Sequence, residues 1–77
     1  MARPEITGRK LAAQTPIAAF TVQEFAKAHR LSVSMYYKLK AQGLGPVEMV
    51  VGSRRYVSVE AAERWRRERE AAAIEAA

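Results

Sequence analysis

Apolar and polar positions fall into an ordered pattern only after residue 19. From Met1 to Ala19, aromatic and β-branched residues are sparse, Pro4, Gly8 and Pro16 interrupt the chain, and no period emerges. Residues 1–19 read as a flexible basic N-terminal arm, with order beginning at Phe20. Thr21-Val22-Gln23-Glu24 is then a capping box, in which the threonine oxygen accepts an orphan N–H and the glutamate reaches back to the cap's own N–H. Phe20 and Phe25 flank it as the apolar pair of a hydrophobic staple. The spacing predicts a short helix over about 22–29, with Val22, Phe25 and Ala26 on its inner face.

A turn through His29-Arg30-Leu31 leads to Ser32, a second good N-cap. The next helix, over about 33–42, turns Tyr36, Leu39 and Met35 inward. Adjacent helix positions cannot both face a core; Leu39 marks Tyr36 as the buried tyrosine and leaves Tyr37 exposed. Gly43 suits a C-cap, and Gly45-Pro46 prevents continuation. Val47 to Val51 is β-branched and short, Gly52-Ser53-Arg54 is a turn, and Arg55-Tyr56-Val57 returns as a second strand. A lone hairpin is marginal in water, so this one must lie on the helices. Ser58 caps a last helix, over about 59–70, with Val59, Ala62 and Trp65 inward, and residues 71–77 form a helical or frayed tail. The expected fold is mainly α with a small β-hairpin: one domain over residues 20–70.

Composition narrows the chemistry. Seventy-seven residues allow one small domain with a thin core. Cysteine, aspartate and asparagine are absent and His29 is the single histidine, which removes disulfides, thiolate and two-histidine metal sites, and triads built on aspartate. Catalysis would have to come from Glu, Ser, Tyr and Lys alone, so no enzyme, metal or cofactor is expected. No apolar run approaches the ~18 residues of a membrane span, and Met1 to Phe20 lacks an uninterrupted signal-peptide core. A soluble cytoplasmic protein with no membrane or small-molecule partner is expected.

Thirteen Lys and Arg against eight Glu give a net charge of +5. A basic balance in a small domain suggests a polyanionic partner. Residues 1–59 hold nine of the cations and three glutamates, whereas residues 60–77 hold four arginines and five glutamates. Glu60 with Arg64 and Glu63 with Arg67 are i,i+4 pairs in the favourable order. The run Arg66-Arg67-Glu68-Arg69 therefore reads as a salt-bridged helix surface.

A helix, a tight turn, a second helix and a hairpin with arginines at its tip make a winged helix-turn-helix arrangement. A helix fits the major groove, where each base pair shows a distinct donor and acceptor pattern, and a cationic ribbon can reach the adjacent minor groove or backbone. The expected groove contacts are Ser32, Val33, Ser34, Tyr37 and Lys38. Ser53, Arg54 and Arg55 are expected at the wing, on phosphate or in the minor groove, with Lys27 and Lys40 as peripheral phosphate contacts. His29 reads as a polar turn residue.

The stretch Phe20 to Arg67, with "FTVQEFAKAHRLSVSMYYKLKAQGLGPVEMVVGSRRYVSVEAAERW" at its heart, resembles the small excisionase-like, or AlpA-like, DNA-binding proteins of the MerR-type winged-helix group. The resemblance implies Ala26 as the small residue where the first two helices touch, Leu31 as the apolar plug of the turn, and Ser32 as the recognition-helix cap. Tyr37-Lys38 sits where the family has a Tyr-Arg pair, Gly52 to Arg55 corresponds to its basic wing, and Trp65 to the tryptophan that packs the last helix. Two positions depart from the pattern: His29-Arg30 stand where the family often has glycine, and Val33 follows the serine cap where relatives carry a basic or polar residue. The function implied is that of a recombination directionality factor, which binds and bends attachment-site DNA and directs a site-specific integrase toward excision of a mobile element. Head-to-tail self-association on the DNA goes with that role. A small AlpA-like transcriptional regulator at a promoter is the alternative, and a protein-interaction module anchored by Tyr37, Trp65 and the apolar tail is a third possibility.

Overall fold

The computed structural model describes residues 16–77. The element order is β1 (Ala19–Phe20), α1 (Val22–Ala28), α2 (Val33–Ala41), β2 (Met49–Val51), β3 (Arg54–Ser58) and α3 (Val59–Ala76). The fold is mainly helical, with a small antiparallel sheet in the order β1-β3-β2. Arm residues 1–15 lie outside the described residues. Order nevertheless begins before Phe20: Ala19 pairs with Ser58 and Phe20 with Val57, and the Ala18 carbonyl accepts the Val59 N–H at 3.0 Å. The hairpin is thus widened by a third strand that is too short to show any alternation.

All three helix starts follow from their caps. The Thr21 hydroxyl accepts the Glu24 N–H and the Glu24 carboxylate accepts the Thr21 N–H, at 3.1 and 2.9 Å. Ser32 Oγ accepts from Met35 N and Ser58 Oγ from Ala61 N. Phe20 and Phe25 close the staple edge to face at 6.3 Å.

Helices α1 and α2 also stop in the same way. After α1, Arg30 N donates to the Lys27 carbonyl and Leu31 N to that of Ala26; after α2, Gly43 N donates to the Lys40 carbonyl and Leu44 N to that of Leu39. Both are Schellman motifs, which need one residue in the left-handed region. Gly43 fills that position at φ +75°, and Arg30 fills the equivalent one at φ +60°. The missing turn glycine therefore leaves the geometry unchanged and places the steric cost on an arginine. Gly52, at φ +62°, opens a two-residue hairpin loop with Ser53, and Arg54 already belongs to β3. Positive φ at the first loop position alone is the type II′ pattern, whose twist matches that of the strands.

The core consists of Val22, Phe25, Ala26, Tyr36, Val57, Ala61, Ala62 and Trp65, with Phe20, Leu31 and Leu39 packed against it. Met35, expected inward, is 41% exposed; one step before Tyr36, it lies to the side of the buried stripe. Trp65 meets its polar requirement by donating Nε1–H to the Leu44 carbonyl at 2.8 Å, which fastens α3 to the chain leaving α2. Helix α3 runs past the expected end at residue 70 to Ala76, although its last residues are exposed. No helix among the described residues is long and apolar enough to cross a membrane.

Arg30→Gly is expected to raise stability by about 0.5–1 kcal/mol, the left-handed penalty of about 1–2 kcal/mol being partly offset by the greater freedom of glycine in the unfolded chain. Gly43→Ala should lower it by about 1 kcal/mol. Urea unfolding midpoints check both; an Arg30→Gly variant that is no more stable than the parent would refute the strain.

Candidate nucleic-acid interface

Helix α2 has one buried residue, Tyr36, and its outer face carries Val33, Ser34, Tyr37 and Lys38, all exposed. Tyr37 is 50% exposed, held edge to face on Tyr36 at 5.3 Å, with Lys40 Nζ 5.9 Å from its ring centre. The neighbouring hairpin presents Arg54 and Arg55 on one strand, and Val51 and Val50 opposite them on the other, all exposed. Between helix and hairpin runs a groove of about 330 Å³, to which Tyr37 and Lys40 contribute from α2, Ser53, Arg54 and Arg55 from the hairpin, and Gln23 from α1.

The structure therefore brings Tyr37, Lys40, Ser53, Arg54 and Arg55 to one groove. Ser32, the N-cap of α2, and Val33, Ser34 and Lys38 on that helix lie outside the groove, and Ser32 Oγ is engaged as an N-cap acceptor. Lys27 stands apart, at a separate apolar depression of about 260 Å³ with Ile17, Phe20 and Ala28.

Glu48 is a residue that the sequence pattern did not single out. Its side chain is 7% exposed and stands between α2 and the hairpin. Tyr36 Oη donates to its Oε2, while Lys40 Nζ at 3.0 Å and Arg55 Nη1 at 3.4 Å donate to Oε1. Lys40 and Arg55 are therefore ion-paired within the chain. Among the described residues neither Lys38 nor Arg54 has such a partner. Burial by itself would raise the Glu48 carboxyl; the hydrogen bonds from Tyr36 and Lys40 and the charges of Lys40 and Arg55 outweigh it and hold it below the ordinary carboxylate value. Burial pushes the Tyr36 hydroxyl up, and the carboxylate accepting its proton pushes it further. One sequence signal could have found Glu48. Of the two described glutamates before residue 60, Glu24 is used in a capping box, which leaves Glu48 as the counter-charge in a basic segment.

His29 is structural rather than a simple polar turn residue. Its ring stacks on Phe25 at 4.1 Å, and Nδ1 lies 2.8 Å from the Phe25 carbonyl, which can only accept. Nδ1 therefore carries the proton, and Nε2 accepts from Arg66 Nη1 at 3.0 Å. Arg66 thus faces the turn between α1 and α2. Of the two i,i+4 pairs on α3, Glu63–Arg67 closes at 3.2 Å and Glu60–Arg64 does not.

Comparisons with protein-family models, with curated proteins and with solved structures found no match.

The pH dependence of stability should carry the signature of Glu48. A carboxylate whose folded-state value is depressed contributes stability that is fully present above its unfolded value, near 4.5, and is lost as pH falls through and below it. Urea midpoints of the parent should therefore drop below about pH 5, and Glu48→Gln should flatten that drop. Glu48→Ala, which leaves Tyr36 Oη without its acceptor, should cost about 1–3 kcal/mol at neutral pH.

Proposed function

We propose that this chain is a winged helix-turn-helix protein that binds double-stranded DNA sequence-specifically, with α2 as recognition helix and the β2–β3 hairpin as wing. One observation carries the reading: Tyr37 of α2 and Arg54 of the hairpin line the same groove, so a polar helix face and a cationic ribbon are presented together. Lys38, Ser34 and Val33 extend that face along α2. Their chemistry suits a major groove: lysine for guanine acceptors, serine for either kind of edge, and valine for a thymine methyl. Arg54 supplies a planar guanidinium for phosphate or a narrow minor groove. Lys40 and Arg55 serve as secondary contacts, because Glu48 already shares their charge.

Within that reading the biological role is excision: the protein binds beside the attachment site of a mobile element and directs a site-specific integrase. This rests on the resemblance of residues 20–67 to excisionase-like proteins. Capture of sheared host DNA on the purified protein, followed by sequencing, tests it. Closely spaced repeats beside an attachment site are expected; peaks confined to promoters would replace excision by transcriptional control.

Binding should weaken steeply with salt, with a log–log slope of about −4 to −5, against near-insensitivity for an apolar protein interface. Arg54→Ala should weaken binding to every duplex and flatten the slope by about 1. Lys38→Ala should do the same if it meets a phosphate; if it reads a base, the loss should be about 1–3 kcal/mol on the preferred site only. Fluorescence anisotropy across a salt series distinguishes these outcomes.

A further inference from the structure

The groove between α2 and the hairpin already holds an anion. The Glu48 carboxylate accepts from a tyrosine hydroxyl, an ammonium and a guanidinium, a donor set of the kind that receives a phosphate oxygen. It is 7% exposed, whereas Lys40 and Arg55 are 43% and 57% exposed and keep unused N–H donors. A DNA phosphate could approach these two cations from the solvent side, but it would meet the field of three charges with a net of +1 instead of +2.

From this we infer that Glu48 is an internal phosphate mimic that limits non-specific DNA affinity. It subtracts one unit of charge from the binding face, and its bonds to α2 and to β3 hold helix and wing in one relative placement. Affinity for arbitrary duplex is thereby lowered, and a larger share of binding is left to Lys38 and Arg54, which have no ion-pair partner among the described residues, and to the base-facing side chains of α2. Two exposed, flexible cations gain less from being held in place than they lose from a carboxylate fixed beside them, so the net effect on phosphate binding is a reduction. The inference rests on the DNA-binding reading above.

The test is anisotropy titration of a fluorescent duplex of arbitrary sequence with the full chain, across a salt series. Glu48→Gln should bind roughly three- to tenfold tighter near 100 mM salt, with a log–log slope steeper by about one, because one more counterion is released. Tyr36→Phe removes a hydrogen bond from the same carboxylate and keeps its charge. It should lower the melting temperature and leave the slope unchanged. Equal slopes for the parent and Glu48→Gln would overturn the inference and leave DNA binding intact. A slope as steep in Tyr36→Phe as in Glu48→Gln would also overturn it, by attributing the effect to loosening instead of charge. Absence of binding by the parent and by Glu48→Gln at low salt would overturn the DNA reading itself. Should Glu48→Gln fail to melt cooperatively, Lys40→Gln in its place removes one of the two masked cations. It should flatten the slope by clearly less than Arg54→Ala; an equal loss from the two variants would overturn the inference.

Discussion

The ring of Phe25 joins β1 and all three helices of this small domain. From its fully buried position on α1 it touches Phe20 of β1, His29 of the following turn, Tyr36 of α2 and Trp65 of α3, with centroids between 4.1 and 6.3 Å away. Among the described residues only eight form the buried core, and aliphatic burial alone would leave so small a domain marginal. Aromatic pairs contribute about 0.5–1.5 kcal/mol each beyond the area they bury, and a domain of this size is stable by only about 5–10 kcal/mol. Geometry matters as much as energy here. Edge-to-face contacts fix the angles between rings, so they fix how α1, α2 and α3 cross and how the outer face of α2 is presented.

What could be read from the sequence was what short-range physics determines. The caps at Thr21, Ser32 and Ser58, the glycine stop at Gly43 and the division of labour between Tyr36 and Tyr37 are all decided within four residues along the chain, and each has a composition signature. Strand β1 was hidden because two residues carry no period, and its partner β3 lies nearly forty residues away in sequence. Glu48 was hidden because its partners stand 7, 8 and 12 residues away on two different elements. In one dimension it is a single carboxylate in a β-branched run. Arg30 illustrates another limit: the Schellman motif was compelled by the Ala26 and Lys27 carbonyls, and the usual residue preference gave way to it.

The candidate site was legible in location and less so in charge. Counting cations treats all of them alike. In three dimensions Lys40 and Arg55 share a carboxylate, Arg66 is committed to His29 and Arg67 to Glu63, whereas Lys38 and Arg54 remain without an ion-pair partner among the described residues. The net charge of +5 therefore describes solubility and long-range attraction better than it describes contacts. The apolar side of the hairpin adds a second chemistry. Val50 and Val51 stand opposite Arg55 and Arg54 on the paired strand, so the ribbon presents methyl groups beside guanidinium groups.

The direct passage of β3 into α3 has a mechanical consequence. From Arg54 to Ala76 every residue belongs to a strand or a helix, and neither glycine nor proline occurs between Ser53 and Ala77. Ser58 ends the strand and caps the helix at once, so there is no hinge between them. The eighteen residues of α3, about 27 Å of rigid rod, thus act as a lever fixed to the hairpin. A force applied at Ile74 or Ala76 reaches the hairpin tip as a rotation instead of being absorbed on the way.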